Sequence, residues 1–163
     1  MTELKAGDRA PDFTLDTNDG DSLTLSNLKG RKVILYVYPA AFTPGCSLEA
    51  QDFRDAEDAF EQAGYTILGL SPDTVERSAS FAEKMKLPFE LVSDPGHKVL
   101  EAYGAWGEKQ AYGRKTIGVI RSTFVIGEDD QIEAAEYWVQ AAGHVERLAQ
   151  TLGVDLAAAS LPE

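Results

Sequence analysis

The chain reads as a three-layer α/β domain with a mixed central sheet, and three observations predict it. Val33–Tyr38 and Tyr65–Leu70 are near-continuous apolar runs of strand length, rich in β-branched and aromatic residues, as suits strands buried on both faces. The first is followed by a segment with helical spacing of apolar residues and the second by a helix-capping residue. A hairpin opens the run of strands and a second finishes it, so the sheet combines parallel and antiparallel pairs.

In order, Phe13–Leu15 and Leu23–Leu25 flank the turn-forming stretch Asp16–Asp21 and predict an N-terminal β-hairpin. After the Val33–Tyr38 strand and a loop from Pro39 to Gly45, Phe53, Ala56, Phe60 and Ala63 recur at helical spacing up to Gly64. That helix starts at or just before Cys46. Beyond the Tyr65–Leu70 strand, Asp73 or Thr74 can cap a helix running to about Lys86. Phe89–Val92 predicts a short strand, and Val99 and Leu100 a brief helix. From Tyr103 to Gly118 the glycines and polar residues predict a long structured loop. Ser122–Ile126 and Ile132–Val139 form an antiparallel pair turned by Gly127–Asp130, and a last helix carries Val145, Leu148, Ala149 and Leu152 on one face. One domain over 1–154 and a loose tail over 155–163 account for the chain.

Composition narrows the function. At 163 residues, 44% apolar and 26% charged, the chain can bury a single core. A formal net charge of −12 repels phosphate backbones and anionic headgroups, which argues against nucleic acid and membrane partners. No run approaches the length of a membrane span, and the first residues lack the apolar core of a signal peptide, so a cytoplasmic location is expected. With Cys46 as its one cysteine, the chain can form no internal disulfide, and any thiol chemistry rests on one sulfur.

That sulfur sits in Tyr38-Pro39-Ala40-Ala41-Phe42-Thr43-Pro44-Gly45-Cys46-Ser47-Leu48-Glu49-Ala50, which carries it from a buried strand into the first turn of a helix. Unpaired amides and the helix dipole there favour a thiolate over a thiol. Thr43 places a hydroxyl three residues before the sulfur, Pro39 can wall off one side without offering an N–H, and Gly45 lets backbone approach a ligand. A lone cysteine is otherwise most often an inert packing residue, and the helix start is what weighs against that reading.

Pro39, Thr43 and Cys46 match the Pro-x-x-x-Thr-x-x-Cys signature of the peroxiredoxins, and the wider Tyr-Pro…Thr-Pro-Gly-Cys…Glu-Ala string resembles their bacterioferritin comigratory protein (PrxQ) branch. Gly7-Asp8, Ala10–Phe13, Leu91–Asp94, Gly104–Lys109, Arg121–Ile126 and Gly143–Val145 are similar to segments of the same branch. The resemblance implies a thioredoxin-like fold and a thiol-dependent peroxidase. It makes Cys46 the nucleophile that becomes a sulfenic acid, Thr43 the donor that aligns the peroxide, and Arg121 the cation beside the sulfur. It also makes Glu49 the acid that holds the Arg121 guanidinium in a planar, bidentate contact, although an ordinary first-turn acid fits that position as well.

Many members of the branch carry a second cysteine where this chain has Gln51 or Ala82. The resemblance is therefore to the single-cysteine variety, restored by an outside thiol such as thioredoxin, glutaredoxin or a low-molecular-weight thiol. It implies no metal, haem or flavin, peroxide as substrate, and a monomer or homodimer.

Other features carry less. His97 and His144 lack a second ligand at metal spacing and read as solvated, though they are the only candidate bases for a rival cysteine hydrolase. Glu128-Asp129-Asp130 reads as a solvated turn, and Tyr103, Trp106 and Tyr112 as packing residues, while a binding module with a packed Cys46 is the non-enzymatic alternative.

Overall fold

A computed structural model describes residues 3–28, 30–111 and 113–156. Seven strands form one mixed sheet: β1 (Thr14–Thr17), β2 (Ser22–Thr24), β3 (Lys32–Val37), β4 (Tyr65–Ser71), β5 (Glu90–Ser93), β8 (Ser122–Ile126) and β9 (Ile132–Tyr137). Their order is β2-β1-β5-β4-β3-β8-β9. β3 and β4 pair in parallel, as do β4 and β5, whereas β8 runs antiparallel to β3. The N-terminal hairpin joins the same sheet through β1 and β5.

The central run is buried because both faces are covered. On one face α1 (Pro44–Gln62), α2 (Val75–Met85) and α4 (His144–Leu152) bring Phe53, Phe60, Phe81 and Leu148 against Ile34 and Tyr36. On the other, α3 (Lys98–Ala102) and the N-terminal segment bring Leu100, Ala10 and Phe13 against Leu35, Val37 and Phe124. The alternation along β3 thus separates two cores, as the pleat requires. Tyr36 stacks on Phe53 at 4.4 Å between ring centroids. Gly69 beside it makes this fit: a Cβ there would lie 2.6 Å from Leu91 and 3.1 Å from the Tyr36 ring.

Three expectations need correcting. The segment expected as a loop from Tyr103 to Gly118 holds a second, two-stranded sheet, β6 (Trp106–Ala111) against β7 (Arg114–Val119). Residues 114–117 are exposed, so no face of β7 selects the apolar alternation that marks a half-buried strand. Asp130 is buried rather than solvated, because the N-terminal segment crosses the turn and Ala10 N–H donates to the Asp130 carbonyl at 2.8 Å. The tail is not loose at its start, since Leu156 packs against the core next to Val154 of the domain, and residues 157–163 lie outside the described residues. Tyr103 packs as expected, with its hydroxyl donating to the Pro11 carbonyl at 2.6 Å, and Tyr112 also lies outside the described residues.

Candidate active site

The site forms where β3 ends and α1 begins. The ladder with β4 reaches Tyr38, whose N–H donates to the Leu70 carbonyl at 3.1 Å, and Pro39, half-buried, has no N–H to extend it. The chain leaves the sheet there. Thr43 is the N-cap of α1 and Pro44 its first residue, which places Cys46 third in the helix. The Gly45 and Cys46 amides therefore have no carbonyl four residues back inside the helix and are first-turn donors. Cys46 itself is buried, at 1% exposure.

Arg121 arrives from the far side, between β7 and β8, with its carbonyl accepting from Val139 N–H at 2.9 Å. Its Nη2 donates to Cys46 Sγ at 3.3 Å and its Nη1 to Glu49 Oε1 at 2.7 Å. Gly45 makes room for this approach, because a Cβ at that position would lie 3.3 Å from Nη2. Burial opposes the Arg121 charge, but Glu49 and then Cys46 outweigh it and hold its pKa above the ordinary value.

Glu49 is fully buried, one turn beyond Cys46, and its Oε2 has no hydrogen-bond partner. Burial drives its carboxyl up to about 7 even though Arg121 pulls the other way. The Tyr36 hydroxyl is likewise sealed without a partner, and burial raises it well above the usual phenol range. The cation is thus the only group bonded to both carboxyl and sulfur among the described residues.

The structure brings Pro39, Thr43, Gly45, Cys46, Glu49 and Arg121 into one region, with one difference in detail. The exposed Thr43 hydroxyl donates to the Ala40 carbonyl at 2.8 Å, so its proton is engaged and its lone pairs are what it presents outward. Gln51 is exposed, whereas Ala82 is buried on α2.

Of the two histidines expected to be solvated, His144 is not. His144 is buried, with Nε2 2.8 Å from Thr123 Oγ1, and burial lowers its pKa to about 4. Half-buried His97 stacks on Trp106 at 3.7 Å. Among the described residues neither hydrogen-bonds to Cys46.

Sequence reasoning missed two residues that hold the loop before Cys46, Asp73 and Arg77, which form an ion pair at 3.3 Å. An acid and a base four apart at a helix start was the available signal.

Residues 6–135 match the AhpC/TSA family. Protein Rv2521 of Mycobacterium tuberculosis, named as a peroxiredoxin, is 51% identical over 153 residues, covering 94% of this chain and 98% of its own. The crystal structure of a cysteine-to-serine mutant of PrxQ from Xylella fastidiosa superposes with a TM-score of 0.87 at 33% identity, over 94% of this chain and 98% of that one. Bacterioferritin comigratory protein from Xanthomonas campestris, in work on its alkyl peroxide reduction activity, gives a TM-score of 0.82 at 33% identity, over 86% and 90%. With a thioredoxin-like fold, and a cysteine at a helix start beside an arginine, the chain belongs to the AhpC/TSA family as a peroxiredoxin of the bacterioferritin comigratory protein (PrxQ) branch, with a single cysteine.

Proposed function

We propose that the protein reduces hydrogen peroxide and organic hydroperoxides through a sulfenic acid at Cys46, and that an external thiol returns the sulfur to its reduced state. The observation that carries this reading is the Arg121 guanidinium 3.3 Å from the buried sulfur. The Cys46 sulfur attacks one peroxide oxygen, an S–O bond forms as the O–O bond breaks, and the departing oxygen takes a proton to leave as water or alcohol. Negative charge moves from sulfur onto that oxygen, so a fixed cation and first-turn amides stabilise the transition state.

Thr43 aligns the peroxide by accepting from it, since its own proton is directed at Ala40. Glu49 anchors the guanidinium through one oxygen, a single contact rather than the bidentate one expected. An external thiol then attacks the sulfenic sulfur and releases water, and a second thiol displaces Cys46 from the mixed disulfide. With Gln51 and Ala82 in place of a second cysteine, no internal step can replace these. The organic substrate class is supported by the activity named for the Xanthomonas relative.

Cys46→Ser tests the reading. The variant is expected to fold and to lose thiol-coupled peroxide consumption, and mass spectrometry of wild type after one equivalent of peroxide should find one added oxygen on Cys46. Turnover near wild type in the variant would overturn it.

A further inference from the structure

We propose that Asp73 and Arg77 are positioning residues for this reaction, setting the loop that presents Thr43; the proposal rests on the peroxidase reading above. The pair holds both backbone groups of one residue. Asp73 Oδ2 accepts from Ala41 N–H at 2.8 Å, and Arg77 Nη2 donates to the Ala41 carbonyl at 2.9 Å. Asp73 Oδ1 pairs with Arg77 Nε at 3.3 Å, and Ser71 at the end of β4 donates its hydroxyl to Oδ2 at 3.1 Å. Ala41, through the two peptide units that flank it, is therefore referenced to β4 and α2, not only to the strand and helix the loop joins.

The next residue shows what the grip maintains. Phe42 has φ of +68°, a conformation that sterics disfavour for a bulky L-residue and that persists only where the surroundings over-determine it. Its ring is held as well, 5.3 Å from the Arg77 guanidinium and 5.2 Å from the Phe81 ring. Thr43 follows directly and bonds back to Ala40, so one turn of backbone links Thr43 to the gripped Ala41. Released from the pair, Phe42 relaxes toward negative φ and the Thr43 hydroxyl reorients.

An exposed ion pair of this spacing contributes little to stability. Here the Asp73 side chain is only 9% exposed, and both partners end on the backbone of the same loop residue, Ala41. That convergence is what a surface pair lacks.

The test compares two reactions of Cys46 in wild type, Arg77→Met, Asp73→Ala and Asp73→Asn. Hydrogen peroxide needs Thr43 alignment, whereas alkylation by iodoacetamide does not. Arg77→Met and Asp73→Ala are expected to slow peroxide attack by roughly tenfold to a hundredfold, as small misplacements do, with alkylation within about threefold of wild type. Asp73→Asn, which keeps an acceptor for Ala41 N–H, should recover part of the loss. The Arg77→Met, Asp73→Ala double variant should fall no further than either alone, because the pair acts as a unit.

Peroxide rates equal to wild type in the folded single variants, or equal losses in both reactions, would overturn the positioning role while leaving the peroxidase reading intact. A wild type without Cys46-dependent turnover would overturn both. Arg77 is half exposed, so Arg77→Met remains a folded test even if Asp73→Ala does not fold.

Discussion

Arg121 and Cys46, 75 residues apart in the chain, meet at 3.3 Å through Nη2 and Sγ. The same guanidinium is held by the buried Glu49, so the cation beside the sulfur is fixed before substrate arrives. A donor already in place requires no reorganisation as charge moves off the sulfur, which is where its catalytic value lies.

Replacing Arg121 should therefore reduce rate far more than it disturbs the fold. Arg121→Met is expected to slow Cys46 oxidation about a hundredfold or more. Arg121→Lys should recover little, because a single ammonium cannot span sulfur and carboxylate as the planar fork does. Stopped-flow oxidation with hydrogen peroxide checks this, and a lysine variant near wild type would show that charge alone suffices.

Thr43 separates acceptance from shape. Thr43→Ser keeps an oxygen that can donate to Ala40 and accept from the peroxide, whereas Thr43→Val keeps only the volume. The valine variant should lose about tenfold to a thousandfold in peroxide rate and the serine variant much less. Equal rates would restrict Thr43 to packing.

Gly45 offers a geometric test of the cation's approach. In Gly45→Ala the new methyl would stand 3.3 Å from Arg121 Nη2 and 3.7 Å from the Ala141 methyl, so the guanidinium must shift from the sulfur by a few tenths of an ångström. Peroxide attack should slow while melting temperature changes little. An unchanged rate would mean that Arg121 tolerates displacement.

Most of this arrangement was legible in the sequence because local signals coincide with it. A buried strand, a proline and a first-turn cysteine are contiguous, and their chemistry follows from helix geometry alone. Arg121 and Glu49 needed the family resemblance, since an arginine before a strand and an acid in a first turn are each ordinary. The grip of Asp73 and Arg77 was hidden for a different reason: their partners are the N–H and C=O of Ala41, and backbone groups leave no trace in a residue pattern. His144 looked solvated because nothing in its neighbours in sequence reveals that Phe53, 6.1 Å away by ring centroid, and Thr123 close over it. The β6–β7 hairpin escaped because its second strand lies largely in solvent, where hydrophobic periodicity has nothing to select.

Glu49 and His144 are linked through the pH dependence of stability. Glu49 has its folded pKa raised from 4.5 to about 7, so the folded state binds more protons than the unfolded chain between these values. Its contribution is fully present below 4.5 and lost as pH rises through about 7. His144 is lowered from 6.5 to about 4, so its contribution is present above 6.5 and lost as pH falls through about 4. Each window corresponds to a few kcal/mol, about 3 at 1.36 kcal/mol per pKa unit. The two slopes oppose each other over nearly the same range, and in wild type they largely cancel. Glu49→Gln removes the first, so its stability should fall more steeply than wild type as the solution is acidified from pH 7 to 4.5. His144→Gln removes the second while keeping a side-chain amide near Thr123, and its stability should instead rise on acidification over pH 6.5 to 4.5. Urea midpoints for the three proteins, measured across this range, read the tilts directly. Parallel curves would show that neither group is perturbed by burial in the way the site requires, and variants tilting in the same direction would show that one of the two signs is wrong.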